Sequence, residues 1–196
     1  MKPRSEACER NRDPILAVLR QWFLTPGAVL ELGAGTGQHA VHFAQHLPHL
    51  TWIPSDREEN LAGIEQWVSE VALENLRSPV KLDVMDPHWP VITADYVFTA
   101  NTAHIMSWTQ VEAMFEGVAK ILVSKGVFCL YGPINRDGNY TSDSNRQFDE
   151  MLRARDPMMG IRDDQALIRL GRRNGLIFAA DNSMPARNRL LVWTKS

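Results

Sequence analysis

The sequence predicts an α/β protein, a mostly parallel sheet with helices on both faces. Three observations carry this. Strand-like and helix-like patterns alternate along most of the chain. The runs at 28–32 (AVLEL) and 127–131 (VFCLY) read as buried strands. The last two strands, 176–181 and 188–194, leave no room for a crossover helix, so they must pair as an antiparallel hairpin.

The elements follow in order. Residues 12–23 suit a short amphipathic helix, with Asp13 as N-cap and Pro14 at its first position, ended by Thr25-Pro26-Gly27. After strand 28–32, a tight loop from Gly33 to Gly37 leads into a helix at 38–47. Residues 50–55 form a second strand, although Pro54 belongs at a strand end. A helix at 58–73 places Leu61, Ile64, Val68 and Val71 near a 3.6-residue period. A short strand at 79–83 precedes a loop through Asp86-Pro87 and His88-Trp89-Pro90. Strand 94–99, helix 108–122, the turn Ser124-Lys125-Gly126 and strand 127–131 come next. The polar stretch 132–146 reads as a functional loop, and helices are expected at 145–154 and 163–173. The hairpin turns near Met184-Pro185.

A chain of 196 residues supports one well-buried domain, 1–196. Within it, residues 1–24 help to cover the site and 132–160 serve as a substrate loop. The net charge of −2, with no basic stripe, argues against a nucleic-acid partner. The six tryptophans are scattered and read as core and pocket walls. Cys8 and Cys129 form no CxxC pattern, which argues against a disulfide framework or a zinc knuckle and points to a reducing, cytoplasmic setting. The charged N-terminus does not read as a secretory signal, and no uncharged apolar run approaches the ~20 residues of a membrane span.

The sharpest local signal is Glu31-Leu32-Gly33-Ala34-Gly35-Thr36-Gly37, placed where a strand ends and a helix begins. Glycines there permit a tight turn and close approach of a ligand to the backbone. A dinucleotide fingerprint requires a third glycine at position 38, which is Gln38. Asp56, at the tip of the second strand, offers a carboxylate to ribose hydroxyls, a device that supports nucleoside binding without choosing the cofactor. It equally suits a cap for the following helix. Asn101 and His104 follow the fourth strand, at the carboxyl edge where such sheets bind ligands. The plain alternative for His104 is a buried structural histidine.

The G-x-G-x-G spacing preceded by Glu31 resembles the first motif of class I S-adenosylmethionine-dependent methyltransferases. The resemblance implies S-adenosylmethionine as cofactor. It also implies a Rossmann-like three-layer αβα sandwich with seven strands in the order 3-2-1-4-5-7-6, strand 7 antiparallel. Glu31, Gly33, Ala34, Gly35 and Gly37 would hold the methionine end of the cofactor, and Asp56 with Arg57 the ribose. Asp83 would face the adenine amino group and the Val84 N–H a ring nitrogen, with Asp86 as rival to Asp83. Asn101 would lie beside the cofactor and, with His104, face the acceptor. At finer grain, 7–16 (ACERNRDPIL) and 184–188 (MPARN) resemble an uncharacterised methyltransferase-like family, domain of unknown function 938, which brings no substrate with it.

Methyl transfer needs alignment more than a fixed catalytic signature. The segment after the fourth strand lacks the Asn/Asp-Pro-Pro-aromatic motif of amine methylation on bases, and no Pro-Cys pair is present. A small-molecule acceptor remains, by exclusion. Arg10, Asn11, Tyr131, Asn135, Asn139 and Tyr140 are expected around its pocket, and the catalytic candidates are Asn101, His104, Tyr131, Asn135, Tyr140 and Arg10. His39, His42, His46 and His49 recur at helical spacing and read as a wet helix face rather than a metal site, as do Arg169, Arg172 and Arg173. The competing functions are a non-catalytic S-adenosylmethionine-binding regulator and an NAD(P)-dependent oxidoreductase, the latter disfavoured by Gln38. The acceptor and the oligomeric state stay open.

Overall fold

The computed structural model describes residues 2–91 and 93–196. Helices are α1 (Glu6–Trp22), α2 (Gln38–His46), α3 (Glu58–Val68), α4 (Trp108–Ile121), α5 (Asp143–Arg155) and α6 (Asp164–Arg173). Strands are β1 (Gly27–Leu32), β2 (Leu50–Asp56), β3 (Val80–Lys81), β4 (Ala94–Ala100), β5 (Leu122–Gly132), β6 (Ile134–Asn135), β7 (Arg162–Asp163), β8 (Leu176–Ser183) and β9 (Arg189–Lys195). Seven of the strands form one sheet in the order β3-β2-β1-β4-β5-β9-β8. Counted within that sheet, the order is the expected 3-2-1-4-5-7-6. The β1, β2, β3, β4 and β5 pairings are parallel, and β9 runs antiparallel to both β5 and β8.

The sheet separates two apolar layers. Phe43, Trp52 and Phe98 pack with α1 and α2 on one face. Phe115, Phe128 and Trp193 pack with α4 and α6 on the other, where Phe115 meets both other rings edge-on. No helix among the described residues is long and apolar enough to cross a membrane.

Several boundaries differ from expectation, each for a physical reason. Helix α1 starts at Glu6 rather than 12, because Ser5 and not Asp13 is the cap, its side chain accepting from the Cys8 N–H. Pro14 therefore lies inside the helix, where burial of Ile15, Leu16, Val18 and Leu19 holds the chain helical. Pro54 sits within β2, not at its end. Trp52 sends its N–H and C=O outward to Asn75 and Arg77, and Pro54 shares that direction two residues on. Strand β3 pairs with β2 only at Ser55 and Asp56, so the missing proline N–H breaks no ladder bond. Helix α3 stops at Val68, and Val71 and Leu73 pack against the core from a turn. Strand β3 is shorter than the expected 79–83. Strand β5 begins at Leu122 and absorbs the expected turn, with Lys125 at φ 65°. The loop 132–146 contains β6, which pairs with β7.

The histidine face is corrected in part. His46 and His49 are exposed, but His39 and His42 are buried. The longer α1 covers this side of α2, and Asn11 Oδ1 sits 2.7 Å from His39 Nε2. Burial lowers the pKa of His39 to about 4, so it stays neutral in the interface.

Candidate active site

Gly33, Gly35 and Gly37 all hold positive φ, 67°, 59° and 86°. A side chain at Gly33 would stand 2.5 Å from Thr102 Cγ2, and one at Gly37 3.1 Å from Ile64. At Gly35 a side chain would meet nothing within 4 Å. Two glycines thus admit neighbouring protein, while Gly35 opens onto free space. The Ala34 N–H donates to Ser55 O (2.9 Å), and the Gly35 N–H to Asp56 Oδ2 (2.7 Å), which fixes the loop on the end of β2.

Asp56 Oδ1 accepts from the Arg57 N–H and from Asn60 Nδ2, both at 2.8 Å. It braces the glycine loop and holds the first turn of α3 through the Asn60 side chain, but it is not the helix cap, since Arg57 takes that position with no side-chain cap bond. An ionised carboxylate has about four acceptor positions, so one remains, on Oδ2. The Arg57 side chain points to Glu59, 2.9 Å away at the surface. Asp83 and Asp86 both close tight turns, accepting from the N–H of Met85 and His88 at 2.9 Å. Leu82 N–H bonds Asp56 O, which places Asp83 just beyond Asp56 on the same edge. Val84 lies half-buried between Asp83 and Asp86. Glu31 is 1% exposed and accepts from Trp52 Nε1 at 2.7 Å. Burial raises its pKa to about 8, so the group is protonated at neutral pH.

Gln38, at the position where a dinucleotide loop needs glycine, has a different task. Its Nε2 donates to Glu9 Oε1 (2.6 Å), and its Oε1 accepts from the Ser5 N–H (2.5 Å) and Thr36 Oγ1 (3.0 Å). It ties the start of α1 to the glycine loop.

The loop after β4 is held from below. Thr99 Oγ1 donates to Leu32 O (2.8 Å) and lies 2.6 Å from Thr102 Oγ1. Asn101 takes φ 60°, and its N–H donates to Tyr131 O (2.9 Å). A side chain at Gly132 would come within 3.8 Å of both Asn101 Oδ1 and His104 Nδ1, so these two polar atoms face one small space above a bare backbone. His104 is buried and meets the Phe148 ring edge-on at 5.3 Å. Burial, and then the nearby Arg162 guanidinium, lower its pKa to about 4. Arg162 donates to Ala103 O (3.0 Å), to Met158 O (2.9 Å) and to Met106 O, clamping this loop to the segment after α5.

A cavity of about 570 Å³ opens between the loop after β5 and the β8–β9 hairpin. Asn139 and Tyr140 line it from the loop, and Met184, Arg187 and Asn188 from the hairpin. Tyr131 is buried, which raises its phenol pKa, and its oxygen accepts from Asn188 Nδ2 at 2.8 Å. Tyr140 donates to Asp149 Oδ2 (2.7 Å), the contact that chiefly raises its pKa. Asn135 gives its carbonyl to Arg189 (2.8 Å), while its side-chain oxygen is buried without a partner. Arg10 is exposed and pairs with Glu6 at 3.4 Å. Asn11 is engaged with His39.

Residues 2–195 match a family described as a protein of unknown function (DUF938). The chain belongs to that family. Its fold is that of solved methyltransferases. An O-methyltransferase family protein from Burkholderia thailandensis superposes with TM-score 0.84 at 16% identity, covering 97% of this chain and 58% of that one. An O-methyltransferase family 2 protein from Planctomyces limnophilus, solved in complex with apigenin, gives TM-score 0.82 at 14% identity, with 97% and 58% covered. CalO1, a methyltransferase in calicheamicin biosynthesis solved in its SAH-bound form, gives 0.76 at 19%, with 94% and 54% covered. This DUF938 chain spans little more than half the length of these structures.

The site also uses residues that sequence reading did not assign. Arg162, Arg187, Asn188 and Arg189 all shape it. Residues 184–188 stood out in the sequence only as a stretch resembling a family, and nothing local marked Arg162 as a clamp.

Proposed function

We propose that this protein binds S-adenosylmethionine and transfers its methyl group to a small-molecule acceptor. The open space above Gly35, at the end of β1 and beside Asp56, is the observation that carries the reading. The Gly35 φ of 59° favours glycine, and beyond that conformation the space where a side chain would stand is open, with no protein atom within 4 Å. The cofactor, when bound, supplies a methyl group already activated as a sulfonium.

The protein's own residues then do four things. The loop Gly33–Gly37, backed by Glu31 and by Ala34, gives the methionine end a rigid floor. Asp56 offers its remaining acceptor position on Oδ2 to a ribose hydroxyl, beside Arg57. Asp83, with the Val84 N–H, bounds the adenine side, and Asp86 is the alternative acid there. Asn101 and His104 bound the space above Gly132, where the acceptor meets the methyl group. The acceptor heteroatom forms its bond to the methyl carbon as the carbon–sulfur bond breaks, and the electron pair goes to sulfur. Neutral His104 is free to take the proton that the acceptor gives up. Tyr131 shapes this space, whereas Tyr140 holds the lid through Asp149.

Isothermal titration with S-adenosylhomocysteine, with NADH as the parallel control, tests this. Micromolar binding of the first alone is expected. Binding of NADH alone would replace this reading with the oxidoreductase one.

A further inference from the structure

We propose that the acceptor carries an oxyanion, a carboxylate or a phosphate, and that Arg187 grips it at the wall of the 570 Å³ cavity. The word acceptor rests on the methyl-transfer reading above; the anion site itself does not.

Of the wall's three arginines one, the solvent-exposed Arg187, is bound to no acid among the described residues. Among the described residues lining the cavity are three arginines, Arg136, Arg187 and Arg189, and one acid, Asp137. Arg136 is paired with Asp181 at 2.6 Å. Arg189 is 4% exposed and paired with Asp164 (2.8 Å) and Asp181 (2.6 Å). Arg187 alone has neither an ion pair nor a side-chain hydrogen bond among the described residues. The acids along this wall already accept hydrogen bonds, Asp137 and Asp163 from neutral N–H donors and the others from cations. Asp181 and Asp164 hold the other two arginines. Asp163 caps α6 and accepts from the Gly138 N–H (2.6 Å), Asp137 accepts from Gln165 Nε2 (3.0 Å), and Asp149 takes Tyr140, Arg153 and the Ile161 N–H.

The backbone under Arg187 is built, not loose. Ala186 and Arg187 hold consecutive positive φ values of 57° and 60°, a conformation that L side chains avoid. The turn is closed by Met184 N–H to Asn188 O (2.9 Å). It is fastened outward as well, because the Arg187 carbonyl accepts from Thr141 Oγ1 and from Asn145 Nδ2, each at 3.4 Å. The adjoining Asn188 bonds the Tyr131 hydroxyl, and Tyr131 O receives the Asn101 N–H. A continuous set of contacts thus runs from the turn bearing Arg187 to the space above Gly132. A guanidinium fork matches two oxygens of a carboxylate or phosphate, and Met184 with the Tyr140 ring gives the cavity an apolar side for the rest of the molecule.

The test uses the full chain, with and without saturating S-adenosylhomocysteine, titrated with benzoate, phenyl phosphate and the neutral benzamide. At least one anion is expected to bind tenfold or more tighter than benzamide, and the better of the two names the oxyanion. Arg187→Gln should lose that binding tenfold or more while leaving S-adenosylhomocysteine affinity within twofold. Arg172→Gln, an exposed arginine of α6 outside the cavity, should change neither. Equal binding of all three probes, binding of none, or full anion binding by Arg187→Gln would overturn the proposal. Arg187-dependent anion binding in a protein that does not bind S-adenosylhomocysteine would keep the anion site and sink the methyl-transfer reading.

Discussion

The two sides of the site are built in opposite ways. On the proposed cofactor side, β1, the glycine loop, α2 and the tip of β2 are successive pieces of chain, held by short contacts at the backbone such as Ala34 N–H to Ser55 O and Gly35 N–H to Asp56 Oδ2. On the proposed acceptor side, three side chains, two arginines and an aspartate, do the holding. Arg189 reaches Asn135, 54 residues away, and Arg162 reaches Ala103, 59 away, while Asp149 gathers Tyr140, Arg153 and the Ile161 N–H. The first arrangement is rigid because backbone fixes backbone. The second is rigid only while a few buried charges stay paired, and it can change its lining by changing loops.

The sharpest way to break this comparison is at Arg189. Arg189→Met leaves Asp164 and Asp181 without their buried cation, a change on the order of 3–5 kcal/mol. Hydrogen exchange should show 132–140 and 160–165 losing protection first, with S-adenosylhomocysteine affinity nearly unchanged. Parallel loss of cofactor affinity would mean that the two sides are one cooperative unit. The reciprocal variant is Gly35→Val. It should lose S-adenosylhomocysteine at least a hundredfold, about 2.7 kcal/mol, while the folded circular-dichroism spectrum persists. Retained affinity in a folded Gly35→Val protein would move the site elsewhere. Asp56→Ala comes next, weakening cofactor binding by about 1–3 kcal/mol. Because Asp56 also anchors Gly35 and Asn60, unfolding in place of weakened binding would show its bracing role to dominate.

The same contrast explains what the sequence disclosed. The strand order, the glycine loop and the positions of Asp56 after β2 and of Asn101 and His104 after β4 were legible because each lies within one strand–loop–helix unit. Nothing in the local pattern of residues 1–13 opposed an early helix, but Asp13-Pro14 supplied a stronger start signal than Ser5, and the burial of His39 and His42 was misread with it. Glu31 was legible as a motif acid, while its protonated, core-facing state depends on Trp52 of the neighbouring strand. The role proposed for Arg187 was not legible, since it rests on which acids the neighbouring arginines have already taken.

The dependence on pH separates the two sides further. His39, between α1 and α2, and His104, against Phe148 near Gly132, both have pKa values of about 4 in the folded protein against 6.5 ordinarily, through burial. The unfolded chain therefore takes up both protons first, and each histidine contributes stability that is complete above pH 6.5 and lost as pH falls toward 4, with a slope of up to about 1.4 kcal/mol per pH unit. Glu31 acts with the opposite sign. Its pKa of about 8 against 4.5 means the unfolded chain releases its proton first, so its contribution is complete below 4.5 and lost as pH rises to 8. Between 4.5 and 6.5 Glu31 offsets one histidine, and above 6.5 it acts without them. Thermal melts should show stability greatest near pH 6.5. Glu31→Gln should remove the decline on the alkaline side, and His104→Gln should reduce the acid-side slope without touching it. An alkaline decline that survives Glu31→Gln would mean that it does not come from a burial-raised pKa of Glu31 but from other groups.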